Sequence, residues 1–286
     1  MFAPAKVNLF LHVGPAKPNG RHDLDSLVVF ADARCADELT IQPAKTDSFA
    51  VNGPTAGADL AGPDNLVLRA LKSCRELGVM IPALDITLTK RLPVAAGIGG
   101  GSADAGAMLR WLETMTDLTE VQAMEIARTL GGDVPAAFLS RATMMRGEGE
   151  RVDVVNDLPT LHALMVNDRS PCPTGPVFQA FDGLAATPPQ SPLTLPTFST
   201  ASHLIDWLST TSNDLEAPAI SRVPAIREVL SEIGHLKGVR LPRMSGSGAT
   251  CFGLFDSAAE AIDGQAEITR AHPDWWACVT EFGREI

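Results

Sequence analysis

The chain of 286 residues contains no tyrosine and only 5% aromatic residues, and its 23 Lys and Arg are outnumbered by 34 Asp and Glu, for a formal charge of −11. Without a phenol, stacking on any ligand falls to other planar groups. The shortage of cations argues against a general nucleic-acid or anionic-membrane surface, since both reward clustered Lys and Arg. An anionic ligand would have to be held by local groups. No apolar run reaches the roughly 18–20 residues that a membrane helix requires. The apolar N-terminus from Met1 to Gly14 is short and carries Lys6, Asn8 and His12, so it reads as a strand and not as a signal peptide. The five cysteines, Cys35, Cys74, Cys172, Cys251 and Cys278, are odd in number and have no close pairs. That spacing suggests neither a disulfide framework nor a zinc site, and free core thiols in a reducing cytoplasm are expected.

What is present is ordinary for a globular protein: 45% hydrophobic and 20% charged residues. The length exceeds the usual size of one compact core, so one large domain or two smaller ones are allowed. Val7, Leu9, Leu11 and Val13 alternate with Lys6, Asn8, Phe10 and His12, the period of a strand with one apolar face. Residues 25–33 and 38–42 read as further strands, with a turn near Gly20. Leu66, Ala70, Leu71, Cys74 and Leu77 follow helical spacing up to Gly78, and 84–89 alternate as a strand. A glycine-rich loop then leads to a helix through about Met115, with Ser102 placed to cap it. Thr119 and Gln122 have capping-box spacing for one more helix, which stops at Gly131-Gly132.

The clearest boundary lies past Gly149, dividing the chain into units of 1–155 and 156–286. Residues 187–196 carry four prolines and read as a loop. Strands at 162–167, 238–241, 250–255 and 275–282, with helices at 223–233 and 257–271, give the order β-α-β-β-α-β of a split-βαβ, ferredoxin-like unit. Two α+β units meeting at a cleft are expected.

The strongest local signal runs from Pro93 through Val94, Ala95, Ala96, Gly97, Ile98, Gly99, Gly100, Gly101, Ser102 and Ala103 to Asp104. Its glycines let backbone N–H groups approach a ligand, and the helix that follows favours an anion at its start. Phosphate is the natural guest. A Walker A loop needs Lys-Ser or Lys-Thr after its last glycine, and Ser102-Ala103 stands there instead. The dinucleotide fingerprint fits poorly, because Ser102 occupies the place of its third glycine. Protein-kinase signatures are absent. Three further features taken singly have bland readings: Lys6 as a solvated strand end, Asp133 in Gly131-Gly132-Asp133-Val134-Pro135 as a helix cap, and Ser245-Gly246-Ser247-Gly248-Ala249-Thr250 as a hairpin.

Together these segments resemble the three motifs of the GHMP kinases. The opening Pro4-Ala5-Lys6-Val7-Asn8-Leu9-Phe10-Leu11, the Gly-Gly-Gly-Ser loop, His22 after Asn19-Gly20, Asp64-Asn65-Leu66-Val67 and Ser212-Asn213-Asp214-Leu215-Glu216 are similar to one branch. The acceptor of that branch is a cytidine diphosphate ester of methylerythritol, phosphorylated by ATP on its C2 hydroxyl. The fold implied is α+β, with an N-terminal unit like the second domain of ribosomal protein S5 and a ferredoxin-like C-terminal unit. The resemblance implies that Asp133 accepts or orients the hydroxyl proton and that Lys6 holds its carboxylate. A neighbouring ammonium favours the anion and weakens it as a base, so positioning with late proton transfer is expected.

By the same resemblance, the loop from Pro93 to Ala103 would cradle ATP, with Asn65, Leu66 and Lys90 along the adenosine. Magnesium would come with the nucleotide, with Ser102 near it, and no carboxylate cluster marks a protein-held metal. Asn8, Arg21, His22, Asp133, Phe178, Gly246 and Ser247 would contact the acceptor. In this branch a tyrosine commonly precedes the histidine that reads the cytosine edge, whereas Arg21 stands there in this chain. A planar guanidinium can stack on a base, so an Arg21–cytosine–Phe178 sandwich is expected. Three alternatives remain open at this point: another GHMP kinase with a different alcohol, an NAD-dependent oxidoreductase, and a non-catalytic nucleotide binder. The partner expected is a small molecule, with no nucleic acid and no membrane.

Overall fold

The computed structural model describes residues 1–184 and 192–283. Alternating apolar residues make the N-terminal part mostly strand: β1 (Phe2–Pro4), β2 (Lys6–Ala16), β3 (His22–Phe30), β4 (Ala36–Pro43) and β5 (Ser48–Asn52). The β2–β3 hairpin turns at Gly20, whose φ of 75° costs a glycine nothing. Next come α1 (Leu66–Glu76), β6 (Leu84–Thr89), α2 (Gly100–Met115), α3 (Glu120–Leu130), α4 (Val134–Leu139), β7 (Thr143–Gly147) and β8 (Arg151–Val154). Asn65 caps α1 by accepting from the Val67 N–H, and both reciprocal bonds of the Thr119/Gln122 capping box open α3. The rest of the chain forms β9 (Leu161–Asn167), α5 (Thr174–Asp182), α6 (Ala201–Leu208), α7 (Glu216–Arg222), α8 (Ala225–His235), β10 (Val239–Met244), β11 (Cys251–Phe255), α9 (Ala258–Ala271) and β12 (Trp276–Phe282).

These strands form three four-stranded sheets, in the orders β1-β4-β6-β5, β2-β3-β7-β8 and β10-β11-β9-β12. The last is wholly antiparallel. It carries the expected ferredoxin-like order, in which the first strand β9 lies between β11 and the final strand β12. The first sheet packs its Leu39, Leu84, Ile86 and Leu88 against α1, α2 and α3. A second cluster joins Val7, Leu9, Phe10, Leu27 and Val29 of the middle sheet to Leu161, Met165, Phe252 and Leu254 of the third, so the middle sheet and the ferredoxin-like sheet share one core.

Three readings of the sequence need correction. β2 was expected to bury one face, yet both are buried from Lys6 to Leu11, because the glycine loop covers the face that carries Lys6 and Asn8. The cap of α2 is Gly99, and Ser102 lies inside the first turn. Cys35 and Cys278 form a disulfide, leaving Cys74, Cys172 and Cys251 as free buried thiols. A separation of 243 residues hides that pair in the sequence, while the fold brings the two Cα atoms within 6.1 Å. The short strands β1, β5, β7 and β8 and the helices α5, α6 and α7 carry too little periodicity to be read. Part of the proline-rich loop expected at 187–196 lies outside the described residues, and residues 192–196 have no regular structure. No described helix is long and apolar enough to cross a membrane.

Candidate active site

Two strand residues apart on β2, Lys6 and Asn8 point the same way, toward the glycine loop. They are 4% and 1% exposed. Lys6 Nζ lies 3.0 Å from Asp133 Oδ2 and donates to Asn8 Oδ1 at 2.9 Å. Asn8 Nδ2 donates in turn to Ser26 Oγ at 2.8 Å, and its backbone N–H to Ser245 Oγ at 3.2 Å. This chain of bonds fixes the amide orientation of Asn8 and leaves the Lys6 ammonium between two oxygen acceptors.

Asp133 occupies the N-cap position of α4 but makes no capping hydrogen bond. The bland reading of this residue as a helix cap therefore fails, and its carboxylate, one third exposed, turns to Lys6. Helix α2 places it there. A Cβ on Gly106 would lie 2.5 Å from the Ala137 backbone, so α2 and α4 approach as closely as only glycine permits. Arg110, one turn further along α2, donates to the carbonyl oxygens of Ala137 and Phe138.

The glycine loop is clamped from three sides. Lys6 N–H donates to Ile98 O at 2.9 Å, Thr250 N–H to Ala96 O at 3.1 Å, and Ser245 Oγ to Gly97 O at 3.2 Å. Gly97, at φ 73°, has Ser245 O and Gly248 N where a Cβ would stand, at 2.6 and 2.7 Å. No side chain caps α2 at Gly99, which leaves its first N–H groups without a cap, an arrangement that favours an anion. A Cβ on Gly99 would fall 3.3 Å from Lys6 Cε and 3.6 Å from Asp133 Oδ2. The anion site and the ion pair are thus adjacent.

Beneath this loop lies a buried triad. Lys90 Nζ donates to Asp104 Oδ2 at 2.7 Å and to Asp37, whose other oxygen accepts from the N–H groups of Arg91 and Leu92. Burial works against the Lys90 cation, yet Asp104 and Asp37 together hold it above its usual range. Burial pushes the Asp104 carboxyl up to about 7, opposed by Lys90 and reinforced by Asp37. Its Oδ1 is buried without a hydrogen-bond partner among the described residues.

A cleft of about 510 Å³ collects most of these groups: Lys6, Asn8, Asn65, Leu66, Lys90, Pro93 to Gly97, Gly99 to Ser102, Asp133, Phe178, Gly246 and Ser247 line it. Ile98 and Ala103 are buried behind the loop and do not. Arg21 and His22 line a neighbouring chamber of about 410 Å³, which shares Leu24 and Phe178 with the main cleft. There the His22 ring lies 4.9 Å from Phe178, tilted by 35°, and Nε2 is 2.8 Å from Asp182 Oδ1. Arg21 stands at the rim with its side chain 68% exposed and Nη1 3.2 Å from Glu148 Oε2. Asn19 and Lys17 also bond to Glu148 and, with Arg21, hold it below the usual carboxylate range against some desolvation.

Sequence reasoning missed several lining groups. Thr174 Oγ1 meets Ser247 Oγ at 2.9 Å, and Cys172 Sγ donates to Ser247 O at 3.1 Å. Asp104 was quoted only as the end of a motif. The Ser212–Glu216 run carried a resemblance without a role, and the structure supplies one. Asn213 Nδ2 donates to Met244 O and Gly246 O, both at 2.8 Å, while Asp214 accepts from Val13 N–H and Glu216 from Met244 N–H. This segment splints β2 to the 245–250 loop.

Two family models match the chain: GHMP kinases N terminal domain over residues 65–141, and GHMP kinases C terminal over residues 197–274. The chain is similar to proteins named 4-diphosphocytidyl-2-C-methyl-D-erythritol kinase. That of Hyphomonas neptunium is 47% identical over 99% of this chain and 96% of its own length, and that of Caulobacter vibrioides 44% over 96% of both. A crystal structure of 4-(cytidine 5'-diphospho)-2C-methyl-D-erythritol kinase superposes with a TM-score of 0.78 at 31% identity, covering 100% of this chain and 99% of the other. Homoserine kinase from Cytophaga hutchinsonii shares the fold, with a TM-score of 0.65 at 19% identity over 98% of this chain and 92% of its own. A glycine loop at a helix start, a Lys–Asp pair beside it and near full-length relatives agree, and the chain belongs to the 4-diphosphocytidyl-2-C-methyl-D-erythritol kinase family of GHMP kinases.

Proposed function

We propose that this chain transfers the γ-phosphoryl group of ATP to the C2 hydroxyl of 4-diphosphocytidyl-2-C-methyl-D-erythritol, a step of non-mevalonate isoprenoid precursor synthesis. The observation that carries the reading is the 3.0 Å contact between Lys6 and Asp133 at the lip of the glycine loop. In the reaction the hydroxyl oxygen bonds to the γ-phosphorus, the bond from that phosphorus to the β–γ bridging oxygen breaks, and ADP leaves. Such a transfer needs alignment and charge neutralisation more than covalent help. Asp133 Oδ orients the hydroxyl and takes its proton late, as the new bond forms. Lys6 fixes that carboxylate and meets the charge on the transferring group. N–H groups of the loop and the first turn of α2 hold the phosphates.

Among the described residues no cluster of three or more His, Cys, Asp or Glu could hold a metal ion. A magnesium ion carried by nucleotide phosphates needs no such cluster, and the Ser102 hydroxyl in the first turn of α2 would be its protein contact. When bound, it neutralises charge across the β- and γ-phosphates. The cytosine would lie in the chamber beside Phe178, with His22 at its edge and the Arg21 guanidinium against its free face. Residues 1–155 would carry the ATP half and 156–286 most of the wall opposite.

The test is ADP release from ATP and magnesium with the named acceptor, compared with omission of the acceptor and with Asp133→Ala. Turnover that requires both supports the reading. Turnover that proceeds equally with Asp133→Ala, or an enzyme that binds ATP but leaves this acceptor untouched, overturns it.

A further inference from the structure

His22 closes the smaller chamber with its ring against Phe178 and edge-on to Phe181, and its side chain is 3% exposed. Asp182 ends the same helix, α5, and places Oδ1 2.8 Å from His22 Nε2. A carboxylate has no hydrogen to give, so Nε2 is the nitrogen that donates in this contact, and in that tautomer the imidazole lone pair lies on Nδ1. Among the described residues Nδ1 has no hydrogen-bond partner, and His22 lines the chamber. A ring acceptor without a partner at the chamber wall selects for a donor. Cytosine offers one, the amino group at its position 4, where uracil carries a carbonyl oxygen.

We propose that Asp182 is a positioning residue for base selection. By keeping the proton on Nε2, it leaves Nδ1 to accept from the 4-amino group of a cytosine nucleotide and to repel the 4-oxo group of a uracil nucleotide. The proposal rests on the reading of this chamber as the site of the acceptor's base. Arg21 and Glu148, paired at the rim, act on the face or the phosphates and do not make this distinction. Asp182 itself is 41% exposed in its side chain, so replacing it leaves the core untouched.

The test uses CDP and UDP as probes, titrated calorimetrically into the protein with a non-hydrolysable ATP analogue present to occupy the phosphate loop. The wild type is expected to bind CDP at least about tenfold more tightly than UDP, the weight of one hydrogen bond gained and one repulsion avoided. In Asp182→Asn the carboxamide can either donate or accept, and the CDP-to-UDP ratio falls about tenfold. An unchanged ratio in that variant overturns the proposal and leaves the cytidine reading standing. A wild type that binds CDP and UDP equally overturns the cytidine reading and this proposal with it. Nitrogen-15 NMR of His22 in the wild type gives a readout that does not depend on the variant: protonation at Nε2 is expected, and protonation at Nδ1 overturns the proposal.

Discussion

The two ends of the cleft are built differently. At the phosphate end, Lys6 and Asn8 are almost wholly buried, the glycine loop is clamped from β2, Ser245 and Thr250, and each group has two or more partners. At the base end, Arg21 and Asp182 are exposed in large part, and His22 is oriented by ring contacts and one carboxylate. Positioning is over-determined where the proposed transfer would move charge, and lightly supported where the proposed site would recognise a neutral ring. That difference is sound chemistry. A misplaced donor at a developing charge costs orders of magnitude in rate, whereas stacking tolerates small shifts because any base presents a face. It also explains how Arg21 can stand where a tyrosine is usual: the rim demands a planar group in reach and little else.

The comparison can be broken at either end. Lys6→Ala should give the largest effect, a loss in kcat of about 10²–10⁴-fold, since it removes a charge that acts on the transferring group. Single-turnover ADP formation would show whether chemistry itself has slowed. Gly97→Ala comes next. Its Cβ has no room between Ser245 O and Gly248 N, so unfolding free energy should fall by roughly 2 kcal/mol or more, measured by urea denaturation. Phe178→Ala should raise KM for the acceptor by about 10–100-fold with kcat largely kept, as expected when one stacking face worth roughly 1–3 kcal/mol is lost. A matched fall in kcat would instead tie the base end to the chemical step.

Asp104 sharpens the comparison through pH. Its carboxyl holds a proton up to about 7 in the fold, whereas in the unfolded chain it releases it near 4. Between those values the folded state binds more protons, so the stability contribution of this group falls as pH rises. Denaturation at pH 5 and pH 8 should show a decline in the wild type that Asp104→Asn removes, of the order of 2 kcal/mol. An equal decline in both proteins would place the proton elsewhere. The smallest effect belongs to Arg21→Ala. Its exposed pair with Glu148 contributes little to stability, so stability should hold, with KM for the acceptor rising only a few-fold. A rise as large as that of Phe178→Ala would mean that the rim is as tightly built as the loop.

How much was legible follows from the range of each interaction. The capping box at Thr119, strand β6 and the ferredoxin-like order of β9 to β12 rest on neighbours within a few residues, and period and punctuation reveal them. The short strands β5 and β7 are held by pairing with distant partners, and β8, in a hairpin with β7, is only four residues long, so no local period announces them. The glycine loop was legible because two of its residues, Gly97 and Gly99, take a positive φ that favours glycine. Asp104, Cys172 and Thr174 are unremarkable in sequence and enter the site only because other elements fold over it.

By itself, the sequence determined the glycine loop, the separate motifs that carry Lys6 and Asp133 and the kinase family, because each motif depends on residue types at fixed short spacings. Only the tertiary structure decided that Lys6 is buried against Asp133 and not solvated, that Asp133 leaves its helix uncapped, and that Asp104 is buried against Lys90 with its carboxyl pushed up to about 7. It alone joined Cys35 to Cys278 and set Asp182 against His22. Each of these pairs residues far apart in the chain, and their energies come from desolvation and charge at close range. Those quantities exist only once the chain has closed around them.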